Sequence, residues 1–449
     1  MPRCFIALAT ILVSFSASRV GAQAPTVADG RRDDLNLFRR EFFARDSSYT
    51  AERRAEASAR LAKLETQVAT ASAASFELEL ARIVALADNA HTGSPAGFRS
   101  RRYARVPLRF VPLGDQFYVL RADTTNADLL GARVVAIDGK PIRDVRSVAH
   151  TLWGGTAAWR DRHVPFFIES PDQMQALGVA ASDDAVNYRF ELRNGRTVDR
   201  RVVAAPPDET REVWGTSRWL SPEPLDSDGG AWRMLATRDK TPWAFLEPTT
   251  MFRTRHATDL NALVIQLRAN HDVPGQTISA FLQSATSEIQ RVRPQHLVLD
   301  LRTNSGGDLN NTRDFVKSLP SLVPGKIFVL TSPWTFSAAI STTGYLKQAG
   351  GDRVTIVGEM VGDRLEFWAE GRLLRLNFTG AAMSYSTQRH DYKTGCRPYT
   401  DCHGPVVRNP IAVPTLAPAI EAPLTLESIT SGRDPAMDAV AKAIRAPGA

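Results

Sequence analysis

The sequence predicts a multidomain α+β chain, and three changes of hydrophobic period along its 449 residues predict it. From 33 to 89 apolar residues recur at helical spacing. From 106 to 203 short β-type runs are separated by turn dipeptides. From 263 onward, short wholly apolar runs alternate with helical stripes, the pattern of a sheet whose strands are covered on both faces. The expected layout is a helical cap over 33–98, a β domain over 105–205, a connection over 206–242 and an α/β domain over 243–449.

Before the cap, residues 1–22 carry Arg3, an apolar stretch from Phe5 to Phe15 and small residues ending Val20-Gly21-Ala22. This reads as a secretory signal peptide, too short for a membrane span, with cleavage after Ala22 because a cut after Ala24 would abut Pro25. Cys4 is at the start rather than at the cleavage point, which argues against a lipid anchor. In the cap, Ala57, Leu61, Leu64 and Val68 form one helical stripe, and Phe76, Leu80, Ile83, Val84 and Ala87 another. The second runs out into Asp88-Asn89-Ala90-His91-Thr92-Gly93. The Arg-rich 99–109 stretch reads as a solvated face.

In the β region, 117–120 and 133–137 read as strands, Asp138-Gly139 as a turn, and 186–192 with 197–203 as a hairpin around Asn194-Gly195. Residues 153–182 look like an insertion. The connection is rich in Pro, Asp, Gly and Trp. In the α/β part, 263–267, 297–301, 326–330 and 354–357 read as strands. Ile278, Phe281, Leu282, Ala285 and Ile289 form a helix face, 312–319 and 337–349 two further helices, and 435–444 a closing one.

Composition narrows the function classes. The formal charge of +7 falls to +5 once Arg3 and Arg19 leave with the signal peptide, a basic balance scattered among acids and without a nucleic-acid motif. No later apolar run approaches membrane length. Of three cysteines, Cys396 and Cys402 remain in the mature chain, and in an oxidising compartment a small disulfide loop is expected. Zinc recruiting His390, Asp391 and His403 is a minor alternative, since no CxxC pair is present.

The informative stretch is 297–341. A buried strand ends at Gly306-Gly307, and a second strand leads through a Thr/Ser/Pro turn to Ser337-Ala338-Ala339. This delivers a hydroxyl to a helix start, beside free N–H groups and the positive end of the dipole. With the diglycine loop alongside, two backbone donors converge where an acyl oxyanion would form.

DLRTNSGGDL, VLTSPWTFSAA and LKQAGGDRVTIVGE, in that order and spacing, resemble the core of the tail-specific (C-terminal processing) serine peptidases and their tricorn-type relatives. The resemblance implies a crotonase-like βαβ spiral for the α/β domain, and 129–145 is similar to their PDZ element. It implies Ser337 as nucleophile and the N–H groups of Gly306 or Gly307 and of Ala338 as oxyanion hole. Processing peptidases carry a Lys base in a stretch that here reads Gly358-Glu359-Met360-Val361-Gly362-Asp363, and Lys347 is nearly three helical turns beyond Ser337. The base is therefore expected to be His91, as in tricorn-type members, although Ala90 stands where they have Ser. The orienting acid is expected at Asp401, then Asp391, while Asp300 and Arg302 are expected to pair structurally. No cofactor or metal is implied, and the expected substrate is a peptide or unfolded protein met in the periplasm or outside the cell. A different class remains open: a catalytically silent relative that binds peptides or hydrophobic ligands.

Overall fold

The computed structural model describes residues 25–210, 218, 220–224 and 231–446, so the expected signal peptide lies outside the described residues. Three helical segments, Val27–Leu37, Ala51–Glu65 and Ala73–Ala85, open the chain, each begun by a hydroxyl side chain that accepts a backbone N–H of the first turn: Thr26 from Asp29, Thr50 from Arg53 and Ser72 from Ser75. A π-helical turn, Phe38–Phe43, continues the first helix and puts Phe38 and Phe42 into the core. That core is completed from far away in the chain, by Leu376, Met383 and Tyr385 of a hairpin, Leu373–Arg375 with Ala382–Ser384.

The middle region is an antiparallel sheet. Leu108–Leu113, Gln116–Asp123, Arg133–Ile137, Ala185–Glu191 and Thr197–Val203 follow one another across it. The expected connection contributes a strand of its own, Trp232–Met234, on the open edge of Gln116–Asp123. The 153–182 stretch forms short helices that bury Phe167, Ile168 and Met174 beneath the sheet. The arginine-rich stretch is not a solvated face. Arg99 and Arg105 are 1% and 4% exposed. Arg99 donates to the carbonyl and hydroxyl of Ser94, and Arg105 to Glu169. Arg105 is balanced by a carboxylate 64 residues away, a pairing that charge pattern alone does not disclose.

The last part is an α/β layer. Its sheet runs Ile420–Glu421, Val354–Gly358, Ile327–Thr331, His296–Asp300, Ala262–Leu267 and Phe252–Ala257, parallel throughout except for the last antiparallel pair. The helices Ile278–Val292, Asn310–Leu322 and Ala338–Gly350 pack against it, and Pro435–Arg445, capped by Asp434, closes the far face through Ala436 and Val440. Arg302 forms a two-pronged pair with Asp300 (3.0 and 2.8 Å) and reaches Asp434 at 2.7 Å, tying the strand end to that closing helix. Burial alone would raise the Asp300 carboxyl, but the charge and hydrogen bonds of Arg302 outweigh it and hold it below the usual range. No helix among the described residues is long and apolar enough to cross a membrane.

Candidate functional site

Parallel strands deliver their following loops to one edge of the sheet, and the site is assembled from three such loops. After Ile327–Thr331 the chain turns through 332–335. Ser332 Oγ donates to Arg302 O at 2.5 Å, Thr335 Oγ1 to Leu301 O at 2.9 Å, and Phe336 N to Asn304 O at 3.0 Å. These bonds stitch the turn to the loop after His296–Asp300 and drive Ser337 into φ 55°, ψ −126°, immediately before the Ala338–Gly350 helix. Such a conformation costs a side-chain-bearing residue about 1–3 kcal/mol and persists only where the surroundings over-determine it.

Gly306 and Gly307 take φ of 101° and 140°. A Cβ on Gly306 would lie 2.6 Å from Ser337 Cβ and 3.0 Å from Ala338 N, so the corner packs directly on the Ser337 turn. Asn304 Oδ1 accepts the Gly306 N–H at 2.9 Å, and Asn304 Nδ2 donates to Asn270 Oδ1 at 2.8 Å. Asn270 also receives Asp308 N–H on its carbonyl and donates its own N–H to Gly306 O. Asn270 and Asn304 are thus the residues that hold the corner. Because the Gly306 N–H is already used, the donors that no described hydrogen bond engages are those of Gly307 and Ala338. Ser337 Oγ likewise makes no hydrogen bond among the described residues.

His91 is held by a loop pinned from every side. Thr92 Oγ1 donates to Asp46 at 2.8 Å, Asn89 Nδ2 to Trp368 O at 2.9 Å, Trp368 N to Asn89 Oδ1 at 3.0 Å, and Arg364 to Asp88 O at 2.8 Å. The imidazole lies between Phe336 and Phe367, with ring centroids 4.2 and 5.0 Å away, and Phe336 is the residue before Ser337. Its Nδ1 is 3.4 Å from Asp363 Oδ2, and both ring nitrogens are buried without a hydrogen-bond partner. Buried polar atoms are nearly always satisfied, so an imidazole with two free nitrogens beside a half-free carboxylate needs a reason.

The acid beside His91 is Asp363, not Asp401. Asp401 is exposed and paired with Arg389 at 3.2 Å, and Asp391 caps a turn by accepting the N–H groups of Lys393 and Thr394 at 2.8 and 3.1 Å. Neither reaches His91 in this arrangement, because both belong to the strand-and-loop segment on the far side of Phe367. Sequence offered one signal for Asp363: it stands at the end of the stretch where processing peptidases carry their Lys. Cys396 and Cys402 are joined by a disulfide that closes the loop holding Asp401.

A cleft of about 370 Å³ opens on Ser337, lined also by Gly307, Ala338, Phe367, Glu370 and His390. His390 and His403 both face Glu370, with Nε2 to Oε1 distances of 3.2 and 3.8 Å. Burial pushes both imidazoles below the ordinary histidine value, and the hydrogen bond with His390 holds Glu370 below the usual carboxylate range. Both His390 nitrogens have partners, since Nδ1 lies 2.9 Å from Tyr392 Oη. The two His91 nitrogens, by contrast, have no hydrogen-bond partner.

No protein-family profile and no curated protein matches the chain. Among solved structures, mature CPAF matches with a TM-score of 0.55 at 14% identity over 95% of this chain and 99% of that one. Mature CPAF complexed with lactacystin matches with a TM-score of 0.55 at 13% identity over 94% and 99%. A CPAF point mutant matches with a TM-score of 0.57 at 13% identity over 94% and 97%. From helical cap to closing helix, this mixed α/β multidomain chain shares the fold of CPAF over nearly the full length of both proteins.

Proposed function

We propose that this chain is a secreted or periplasmic serine peptidase of the tail-specific type, in its tricorn-like branch, hydrolysing peptide bonds through an acyl-enzyme on Ser337. One observation carries the reading: Ser337, held at positive φ, meets the unengaged N–H groups of Gly307 and Ala338 at the floor of an open cleft. His91 takes the Ser337 proton as general base and returns it to the leaving amine, while Asp363 orients the ring and balances its charge. The tetrahedral oxyanion is received by Gly307 and Ala338, at the start of the helix Ala338–Gly350. The β domain over 105–205 is read as PDZ-like, presenting extended substrate to the cleft. The Cys396–Cys402 bridge supports an oxidising compartment.

The second reading is a silent relative that binds peptides or hydrophobic ligands. It is favoured by the lack of any hydrogen bond between Ser337 and a histidine in this conformation. Hydrolysis of an unfolded protein by wild type and Ser337→Ala separates the two. The peptidase predicts that the variant loses turnover to background with its fold intact, and equal turnover in both would remove Ser337 from the chemistry.

A further inference from the structure

The cluster beside the nucleophile is more than a polar wall. Glu370, His390 and His403 each turn one ligand-type atom to a common point, all within 4.8 Å of one another. The strand Gln388–Asp391 pairs antiparallel with Glu366–Ala369, so Gln388 and His390 share one face and Glu370 follows the opposite strand end. The Gln388 amide oxygen lies 2.6 Å from His403 Nδ1 and can only accept, which puts the His403 proton on Nδ1 and leaves the Nε2 lone pair turned toward Glu370. Tyr392 Oη can accept from His390 Nδ1–H while donating to Ser341 Oγ at 2.6 Å, the pattern that frees His390 Nε2 as well. In that tautomer two lone pairs and a carboxylate oxygen converge on one point, the donor set a cation takes. Rings fixed through their other nitrogen by an amide or a hydroxyl are what histidine ligation of metals requires.

We propose that Glu370, His390 and His403 bind one zinc-class divalent cation, with a further coordination position open to the cleft. His₂Glu with an open position suits a borderline-soft ion far better than calcium or magnesium. The ion would lie in the cleft onto which Ser337 opens, where acyl substrate must enter. If Ser337 is the nucleophile proposed above, the cation is an inhibitor of acylation. The binding claim itself does not depend on that reading.

The test uses tag-free, chelator-treated full-length protein titrated with Co²⁺ and then Zn²⁺. The expected result is visible ligand-field bands of four- or five-coordinate Co²⁺ at one equivalent, bleached by Zn²⁺ and absent from Glu370→Gln and His403→Asn, both partly exposed positions that the fold tolerates. Gln388→Ala, which removes only the group orienting His403, should bind about ten-fold more weakly. A spectrum no different from free Co²⁺, or bands that survive both ligand substitutions, would overturn the proposal. Labelling of Ser337 by a fluorophosphonate with and without Zn²⁺ is read separately. Absence of labelling in metal-free protein counts against the peptidase, while the cobalt bands still decide the site.

Discussion

Asp363 is the carboxylate that the fold brings to His91. Its carboxylate is 1% exposed and lies 3.4 Å from His91 Nδ1. Aspartate ionised at neutral pH is too weak a base to take a serine proton, but it is suited to orient and charge-balance an imidazole. Asp363→Asn keeps the shape and the acceptor for Arg364 N–H, so kcat on an unfolded substrate should fall roughly 10²–10⁴-fold with KM little changed. An unchanged kcat would make Asp363 structural. Ser337, His91 and the glycines stand out in the sequence as candidates because local order and spacing single them out. The acid was not: its partner is remote in sequence, so the proximity that singles it out exists only in the folded chain, and Asp401 lies on the far side of a phenylalanine ring.

At the level of elements, two strand-end loops set the chemistry by locking each other. The diglycine corner is held by Asn270 and Asn304 and packs against the nucleophile turn, and each supports the strained backbone of the other. Gly306→Ala places a methyl 2.6 Å from Ser337 Cβ at φ 101°, so it must displace the turn. Reaction of Ser337 should slow by at least about 100-fold, comparable with loss of an oxyanion donor, as followed by burst-phase acylation. A normal burst would show that the corner does not shape the site. In the α/β layer the four central parallel strands and four helices were readable to within a few residues from apolar runs and stripes, but the edge strands Phe252–Ala257 and Ile420–Glu421 were not. The hairpins between 366 and 391 were not, because they are short, half-polar and stabilised by the cap and the aromatic ladder rather than by their own pattern.

Across the whole molecule, the site exists because separate regions meet at residues 88–93. Cap, β region and α/β layer all bond to this segment, Gly93 bridging both Ser384 and Trp153. From the β region, Trp159 stacks on Phe336 at 3.9 Å, one residue from the nucleophile. Beneath it His163 lies against Trp153 and Trp159, its Nδ1 2.8 Å from Trp159 O. Burial, aided by Arg162, lowers His163 to about 3 from its ordinary 6.5. Between those values the unfolded chain binds the extra proton, so the stability from neutral His163 is complete above about pH 6.5 and is lost as pH falls toward about 3. The slope should approach about 1.4 kcal/mol per pH unit, and His163→Gln should flatten it in denaturant melts. Equal slopes in the two proteins would place the acid sensitivity elsewhere. Sequence singled out 88–93 but not what packs on it: 153–182 reads as an insertion and the Arg-rich stretch as surface, since burial of polar groups shows only in the folded chain.

The most direct measurement is the rate at which a fluorophosphonate modifies Ser337, mapped by mass spectrometry in wild type and His91→Ala. A nucleophile activated by this imidazole predicts a single adduct on Ser337, formed at least about 100-fold more slowly in the variant. No adduct on folded wild-type protein, or the same rate in both, would contradict it.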